Sequence, residues 1–531
     1  MKKIEIYDTT LRDGAQSEDI SFSVEDKLRI ARKLDHIGIA FIEGGWPGSN
    51  PKDLLFFEAI KKAPPRASRI VAFGATRKAE NKVSADPNIR ALLDAGTSVV
   101  TLFGKSWNLH VSDVLGITLA KNLQLISDSI LYLKSHRREV FYDAEHFFDG
   151  FLSQPDYAMK TLQQAKQAGA DRIVLCDTNG GMMPWQVEKI LQTVLKEVDG
   201  KMLGIHTHND SEMAVVNALT AVRMGVTQVQ GTINGHGERC GNANLCSVIA
   251  NLELKMGFSS LPKGRLADLQ DISKAVSEIA NLPHNKHLPY VGDAAFAHKG
   301  GIHVQAVRKN SETYEHVSPS MLGNRQRILI SDYSGRSNIL AKAKEYGVPM
   351  TADHPHLTTI LKELKEREHE GFQYEGADGS FELMIRKQIE GHKPFFNLIG
   401  FHVRVEKQAD NKEPLSEATV RVEVGGQIEH SAAIGNGPVS ALDLALRRSL
   451  EKFYPILSTV KLIDYKVRVL NAGNGTGSKV RVFIESGDGE RQWGTVGVSE
   501  NIIEASWQAL IDSIEYKLLN GRQKKKPVDK A

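Results

Sequence analysis

Short apolar segments alternate with amphipathic helical segments eight times in the first half of the chain, and this alternation constrains the fold more than any other feature. Strands separated by helices favour a parallel sheet, and eight such units in roughly 250 residues predict a TIM (β/α)8 barrel. A doubly wound open sheet is the alternative, although no GxGxxG sequence follows the first strand. The predicted strands are Ile4–Tyr7, Ala40–Glu43, Arg69–Phe73, Ser98–Phe103, Glu139–Asp143, Arg172–Cys176, Met202–His206 and Gln228–Ile233.

Polar and ionisable side chains follow seven of the eight predicted strands. The carboxyl ends of barrel strands meet at one face, and catalytic residues of TIM barrels lie there. A single charged residue at a strand end usually belongs to a solvated loop, but so many together predict a functional site. Members of this set are Arg12, Asp13, Glu43, Glu145, Thr178, His206 and Glu238.

His206 and His208 stand two positions apart where the seventh predicted strand ends. Alternate residues of an extended strand point to the same side, so both imidazoles are expected to face one direction. Asp13 could add a carboxylate, and Asn242 could add an amide oxygen. Such mixed ligands with open positions suit a catalytic Mn²⁺, Mg²⁺ or Zn²⁺ better than a structural zinc closed by thiolates. Two solvent-facing loop histidines are the alternative interpretation.

These residues indicate a class of chemistry. A divalent cation with an open position can polarise the carbonyl oxygen of a substrate, and Arg12 can stabilise the oxygen on which negative charge develops. Glu43, Glu145 and His303 are candidates for acid–base catalysis. The set suits formation or cleavage of a carbon–carbon bond at an α-keto acid, and it fits metal-assisted hydrolysis nearly as well.

The second half of the chain changes character twice. A polar, mainly helical region contains two apparent loops, Phe296–His303 and Ser331–Asn338. Period-2 strands and two helices follow, and we interpret them as two copies of a strand–strand–helix unit in one α+β domain, with chance similarity as the alternative. The predicted boundaries are 1–262 for the barrel, 263–378 for helical linker subdomains, 379–520 for the C-terminal domain and 521–531 for a basic tail.

Composition excludes several classes of protein. At 531 residues the chain is too long for one ordinary domain. A net charge of +3 gives no reason to expect a nucleic-acid or membrane partner, and no apolar run approaches the ~18 residues of a membrane span. The amino-terminal segment lacks the apolar core of a signal peptide. Three cysteines are too few for a disulfide framework, which fits a cytoplasmic location.

Three long motifs carry a resemblance to a known family. DTTLRDGAQ, HTHND and GTINGHGERCGNANL are similar to motifs of the acyl-CoA-condensing (Claisen) synthases of the DRE-TIM metallolyase group. That group includes isopropylmalate, homocitrate and citramalate synthases. FAHKGGIH and GNGPVSALDLAL extend the resemblance over nearly the full chain. Two departures are Ala15, where many relatives carry Glu, and Cys240, where Ala is common.

The resemblance, which is greatest to the longer citramalate synthases of bacteria, implies an acyltransferase acting on acetyl-CoA and pyruvate. It implies a divalent metal ion held by Asp13, His206, His208 and Asn242. The implied keto-acid-binding residues are Arg12, Gln16 and Thr178. The implied catalytic residues are Arg12, Glu145, His303 and Tyr314. The C-terminal domain resembles the family's regulatory domain, which implies a homodimer and isoleucine as a feedback effector.

Three alternatives stay open at this stage. Isopropylmalate and homocitrate synthases differ in the keto acid that they accept. A pocket discriminates between substrates that differ by one methylene by only a modest factor in kcat/KM, so the sequence does not identify the keto acid. A lyase related to hydroxymethylglutaryl-CoA lyase shares the metal motifs, but the long C-terminal domain argues against it. A non-catalytic amino-acid sensor is opposed by the intact Arg12, Asp13, His206 and His208.

Overall fold

The computed structural model describes residues 2–391, 393–407, 413–470 and 477–523. The chain divides into two compact units, the first Met1–Phe296 with Glu315–Gln326 and the second Ala297–Tyr314 with Arg327–Ala531. The finer division into linker and C-terminal domains stays a prediction. Most of the predicted basic tail, residues 524–531, lies outside the described residues. Among the described helices, none is long and apolar enough to cross a membrane.

Eight parallel strands close into a barrel in the first unit. The first strand pairs with the second on one side and with the eighth on the other, which completes the ring. The predicted TIM barrel is confirmed, and the open-sheet alternative is wrong. The strands are β1 (Glu5–Asp8), β2 (Phe41–Gly45), β3 (Arg69–Ala75), β4 (Val99–Lys105), β5 (Glu139–Glu145), β6 (Arg172–Asp177), β7 (Leu203–Thr207) and β8 (Gln228–Gly231).

Ten α-helices are described in the first unit, and the sequence explains the ends of the first one. Ser23 and Asp26 form a reciprocal capping box at its start, and Gly38 ends it in the left-handed conformation. The helices are α1 (Val24–Ile37), α2 (Pro51–Lys62), α3 (Pro87–Asp94), α4 (Leu119–Ser135), α5 (Phe147–Ser153), α6 (Pro155–Gln167), α7 (Pro184–Val194), α8 (Ala214–Arg223), α9 (Leu245–Leu254) and α10 (Leu269–Ile279).

The side chains inside the barrel change from apolar to polar along the strands. The buried cluster nearer the amino-terminal ends consists of Tyr7, Phe41, Val71, Val99 and Phe141. Alternate residues of a strand face the same side, so the side chain two positions further along each strand also points into the barrel. At those positions, β2 to β5 carry Glu43, Phe73, Thr101 and Asp143. An apolar plug therefore supports a layer that contains three polar side chains, on the side where the strands end.

The second unit contains the parallel pair β9 (Ala297–His298) and β10 (Arg327–Ile328) and two antiparallel sheets of three strands. One sheet is β11 (Asn397–Glu406), β12 (Leu415–Val424) and β13 (Gln427–Gly435); the other is β14 (Lys461–Val469), β15 (Val480–Gly487) and β16 (Gln492–Ser499). Its helices are α11 (Gly301–Lys309), α12 (Arg336–Glu345), α13 (His356–Glu370), α14 (Asp378–Ile389), α15 (Pro438–Leu450) and α16 (Ile502–Gln523).

Each three-stranded sheet is followed by one helix that packs on it, α15 on the first and α16 on the second. The predicted pair of pseudo-repeated units is confirmed, but each unit has three strands rather than two. The predicted strands were Ala418–Val424, Tyr465–Leu470 and Lys479–Ile484, so β11, β13 and β16 were missed. β11 and β13 have many exposed residues on both faces, and β16 is buried almost throughout, so none shows the alternation that identifies a half-buried strand.

The predicted loop Phe296–His303 is only partly a loop. Gly300 has an extended backbone, but α11 begins at Gly301, so His303 lies on a helix. The ring of His303 stacks on that of Tyr314 with 4.1 Å between centroids. Gly300 precedes the helix and Gly301 is its first residue, so the predicted loop ends at Gly300.

Candidate active site

Asp13, His206 and His208 form a buried cluster at the carboxyl end of the barrel. Their ligand atoms lie within 4.8 Å of one another. Nε2 of His206 is 3.2 Å from Nε2 of His208, and Oδ2 of Asp13 is 3.4 Å and 3.9 Å from these two nitrogens. Three groups that can all present lone pairs thus converge on one point, as the ligands of a divalent cation do.

The hydrogen bonds of Gln230 on β8 fix how His206 is presented. The Gln230 amide nitrogen donates to Asp143 at 3.2 Å, which turns its oxygen toward Nδ1 of His206 at 3.0 Å. That oxygen can only accept, so Nδ1 carries the hydrogen and Nε2 offers its lone pair to the cluster. An outer hydrogen bond of this kind is what orients a metal-binding histidine.

Two buried oxygens at the cluster lack a hydrogen-bond partner among the described residues, Oδ1 of Asp13 and Oδ1 of Asn242. Asn242 pairs through its backbone with His208, in a bridge that joins the residue after β7 to the loop after β8. Buried polar oxygens are rarely left without a partner. The residues present therefore fit a hard divalent cation with nitrogen and oxygen ligands, and they do not fit a thiolate-bound zinc site.

The protonation states also suit a cation. Burial lowers the pKa of His206 to about 3 and lowers the pKa of His208. Burial alone would raise the pKa of Asp13, but Arg12 and the two histidines hold it below the ordinary range. Near neutral pH the cluster therefore presents one carboxylate and two neutral imidazoles, the forms that bind metal.

Arg12 is locked in place by its neighbours. Its Nε donates to Oε1 of Glu43 at 2.6 Å, and the hydroxyl of Tyr7 donates to Oε2 of the same carboxylate at 2.6 Å. The guanidinium carbon lies 3.8 Å from the centre of the Phe73 ring, and Nη1 lies 3.3 Å from Oδ2 of Asp13. A fixed cation therefore stands beside the metal-binding cluster, where it can stabilise a developing oxyanion.

Two other predicted residues have defined partners. Oε2 of Glu145 forms an ion pair with Nζ of Lys105 at 2.5 Å. The hydroxyl oxygen of Thr178 accepts the backbone N–H of His146 at 2.9 Å, which leaves the hydroxyl hydrogen of Thr178 free to donate elsewhere.

One cavity of about 210 Å³ connects these groups. The predicted residues that line it are Arg12, Asp13, Gln16, Glu145, Thr178, His206, His208 and Glu238. An aromatic wall completes it, with Phe73 stacked on Phe103 at 5.2 Å and Trp46 edge-on to Phe103 at 5.3 Å between centroids. Its size suits a small substrate.

The remaining predicted residues lie in different units of the structure. Asn242 lies at the metal cluster, whereas His303 and Tyr314 belong to the second unit. Residues in or next to the site that were not predicted from the sequence are Tyr7, Trp46, Phe103, Asp143 and Gln230. Polar residues at inward positions of otherwise apolar strands could have signalled Gln230 and Asp143. Phe103 and Trp46 carry no such signal, because aromatic residues are common in any core.

Comparisons with known proteins agree with this geometry. A family model described as HMGL-like matches residues 3–276. A second, described as homocitrate synthase post-HMGL domain-like, matches residues 290–371, and a third, described as LeuA allosteric (dimerisation) domain, matches residues 375–518.

Individual relatives match over nearly the whole chain. A protein from Geobacter sulfurreducens named (R)-citramalate synthase is 59% identical over 518 residues, which cover 98% of each chain. Another of that name from Aquifex aeolicus is 53% identical over 98% of this chain and 99% of its own. A probable 2-isopropylmalate synthase from Methanopyrus kandleri is 31% identical over 96% of this chain and 98% of its own.

Proposed function

The chain belongs to the HMGL-like family and, within it, to the (R)-citramalate synthases. We therefore propose that it condenses acetyl-CoA with pyruvate and water to give (R)-citramalate and free CoA. The observation that carries this proposal is the 59% and 53% identity to two (R)-citramalate synthases over nearly their full lengths, against 31% to a probable 2-isopropylmalate synthase. The enzyme is an acyltransferase that converts the acetyl group into an alkyl group on transfer.

Asp13, His206, His208 and Asn242 would hold the divalent cation, and their mixed oxygen and nitrogen atoms suit Mn²⁺, Mg²⁺ or Zn²⁺. When bound, such an ion supplies Lewis acidity toward the keto acid. Support comes from the convergence of three ligand groups and from the unpartnered oxygens of Asp13 and Asn242.

Arg12 and Thr178 would bind and orient pyruvate. The guanidinium of Arg12 is fixed beside the cluster by Glu43 and Phe73, so it can receive the keto oxygen and stabilise the alkoxide that forms there. The hydroxyl of Thr178 has its hydrogen free for the carboxylate of pyruvate. Gln16 lines the same cavity and would complete the polar contacts of the keto acid.

Glu145 is the base that the described cavity supports best. Its carboxylate lines the cavity beside Lys105 and would take a proton from the methyl group of acetyl-CoA. The enolate so formed attacks C2 of pyruvate, and the alkoxide that this leaves near Arg12 takes up the proton removed by Glu145 to become the hydroxyl of citramalate. Water then hydrolyses the thioester and releases CoA. His303, stacked on Tyr314, stays the second candidate for proton transfer.

The second unit supports a proposal about assembly and regulation. Its match to the LeuA allosteric (dimerisation) domain favours an oligomer, and we propose a homodimer inhibited by isoleucine, the amino acid to which citramalate leads. The three thiols, Cys176, Cys240 and Cys246, are free, which fits a reducing cytoplasm.

A keto-acid panel tests the assignment. Release of CoA from acetyl-CoA is followed with a thiol reagent while pyruvate, 2-oxobutanoate, 2-oxoisovalerate and 2-oxoglutarate are added one at a time. We expect the highest kcat/KM with pyruvate, and isoleucine rather than leucine should inhibit the reaction. Release with 2-oxoisovalerate but not with pyruvate would identify an isopropylmalate synthase instead.

A further inference from the structure

The second unit contains a cavity of about 520 Å³ that the proposed reaction does not use. We call it the linker cavity. Its charged lining residues are Lys299, Asp332, Lys365, Glu368, His369, Glu375 and Arg481. Asp332 belongs to the segment Ser331–Asn338, to which the proposed function gives no role. This segment was predicted to be a loop, but α12 begins within it at Arg336.

The carboxylates of the linker cavity are already engaged. Glu368 accepts the backbone N–H of Asp332 at 2.6 Å and that of Tyr374 at 3.4 Å. Asp332 accepts the backbone N–H of Tyr333 at 2.9 Å. Glu375 forms an ion pair with Lys299 at 3.3 Å. These contacts use part of the hydrogen-bonding capacity of the three carboxylates, and Lys299 balances the charge of Glu375.

The cations have capacity left. Arg481 uses Nε on the carbonyl of Gly371 and Nη1 on the side chain of Gln373, so its Nη2 stays available. Lys365 and His369 are exposed and make no hydrogen bond or ion pair with the described residues. Unused donors around a concave surface are the arrangement that binds carboxylates and phosphates.

The strand register adds a second argument for an anion. Arg481 on β15 stands directly opposite Arg468 on β14. Like charges in directly opposed positions destabilise a sheet. Burial lowers the pKa of Arg481 and repulsion from Arg468 lowers it further, while the carboxylate of Glu368 offsets part of this effect. Arg481 lines the linker cavity, so an oxyanion bound beside it would offset the repulsion from Arg468.

We propose that the linker cavity is a binding site for a small oxyanion, held by Arg481 and Lys365. The shared chemistry is an anionic oxygen cluster, which a dicarboxylate or a phosphate can supply. The unused donors and the facing arginines carry this inference, which is independent of the reaction proposed above.

A ligand bound in the linker cavity would also affect the segment that carries His303. Asn338 donates to the carbonyl of Lys299 at 3.0 Å, and the backbone N–H of Gly301, the first residue of α11, donates to Tyr333 at 3.1 Å. A ligand in the linker cavity, which Lys299 and Asp332 line, would therefore stabilise both segments that position the start of α11. An effect on turnover rests on the proposed catalytic role of His303, but binding does not.

The test is calorimetry of the full chain with succinate and with inorganic phosphate at constant ionic strength. Lys365→Gln is compared with the matched control Lys362→Gln, which lies on the same helix, is 76% exposed and pairs with Glu366. We expect saturable binding that Lys365→Gln weakens about fivefold, that Arg481→Gln weakens about tenfold or more and that Lys362→Gln leaves unchanged.

Hydrogen–deuterium exchange locates the ligand, because peptides containing Lys299 and Asp332 should exchange more slowly when it binds. Binding of succinate alone identifies a carboxylate ligand, binding of phosphate alone identifies a phosphate ligand, and binding of both confirms a general oxyanion site. Absence of saturable binding by either probe, or equal weakening in the Lys365 and Lys362 variants, would overturn the proposal. Neither result depends on whether CoA is released with pyruvate.

Discussion

The side-chain oxygen of Gln230 lies 3.0 Å from Nδ1 of His206, and the amide nitrogen of the same glutamine donates to Asp143. Gln230 is a positioning residue, because it touches a proposed metal ligand and does not line the active-site cavity. We expect Gln230→Met to weaken Mn²⁺ binding by about 10- to 100-fold, the usual effect of losing an outer hydrogen bond to a ligand.

The control for this prediction lies on the same strand. Gln228 is also buried on β8, but its side-chain atoms have no hydrogen-bond partner among the described residues. Gln228→Met should therefore leave Mn²⁺ affinity unchanged, as measured by calorimetry on protein from which metal has been removed. Equal affinities in the two variants would show that Gln230 does not orient His206.

Replacing Arg12 by lysine tests the fixed cation. Lysine keeps the charge but loses the hydrogen bond through Nε to Glu43 and the stacking on Phe73. We expect Arg12→Lys to lower kcat by about 10²- to 10³-fold, comparable to the loss of one oxyanion-stabilising donor. Steady-state kinetics of CoA release measure the effect. A variant with unchanged kcat but raised KM for pyruvate would assign Arg12 to substrate binding alone.

The aromatic wall should limit the size of the keto acid. Phe103 lines the cavity between Trp46 and Phe73, so Phe103→Ala opens space beside the substrate. We expect the ratio of kcat/KM for 2-oxoisovalerate to that for pyruvate to rise about 10-fold or more, since one methylene is worth roughly 1–3 kcal/mol in a fitted pocket. If kcat/KM falls in the same proportion for both keto acids, Phe103 does not face the side chain of the keto acid.

Asp8 should make stability depend on pH. Its carboxylate is fully buried, and burial raises its pKa to about 7 although it accepts two hydrogen bonds from Thr10. In the unfolded chain Asp8 ionises near its ordinary pKa. The folded state therefore loses relative stability as pH rises from about 4 to about 7, by up to about 4 kcal/mol.

The variant Asp8→Asn removes this titration while keeping the shape of the side chain. Its melting temperature relative to the parent chain should increase steadily from pH 4 to pH 7 and then level off. Asp271→Asn is the control, because the side chain of Asp271 is 74% exposed. A pH-independent difference for Asp8→Asn would mean that Asp8 is ionised in the folded chain throughout this range.

The parts of the fold that depend on local pattern were predictable. All eight barrel strands were located within a few residues, because apolar runs and helix caps are local signals. Asp13, Glu145, Thr178 and His206 could be grouped before their distances were known, since parallel strands bring their carboxyl ends to one face.

Contacts across the barrel could not be predicted in the same way. The hydrogen bonds that link Tyr7, Glu43 and Arg12, and those that link Asp143, Gln230 and His206, depend on which residues share a layer inside the barrel. The local pattern of each strand does not contain this information. The start of α11 depended on one glycine rather than on periodicity, so the helical position of His303 was missed.

The most direct test of the central claim is pyruvate-dependent release of CoA by the chain and by its Asp13→Asn variant, each with and without added Mn²⁺ after treatment with a chelator. The parent chain should lose release on chelation, recover it with Mn²⁺ and form (R)-citramalate stoichiometrically with CoA. Asp13→Asn should stay inactive at all Mn²⁺ concentrations that restore the parent. Chelator-resistant release by the parent, or full activity of Asp13→Asn, would contradict the account.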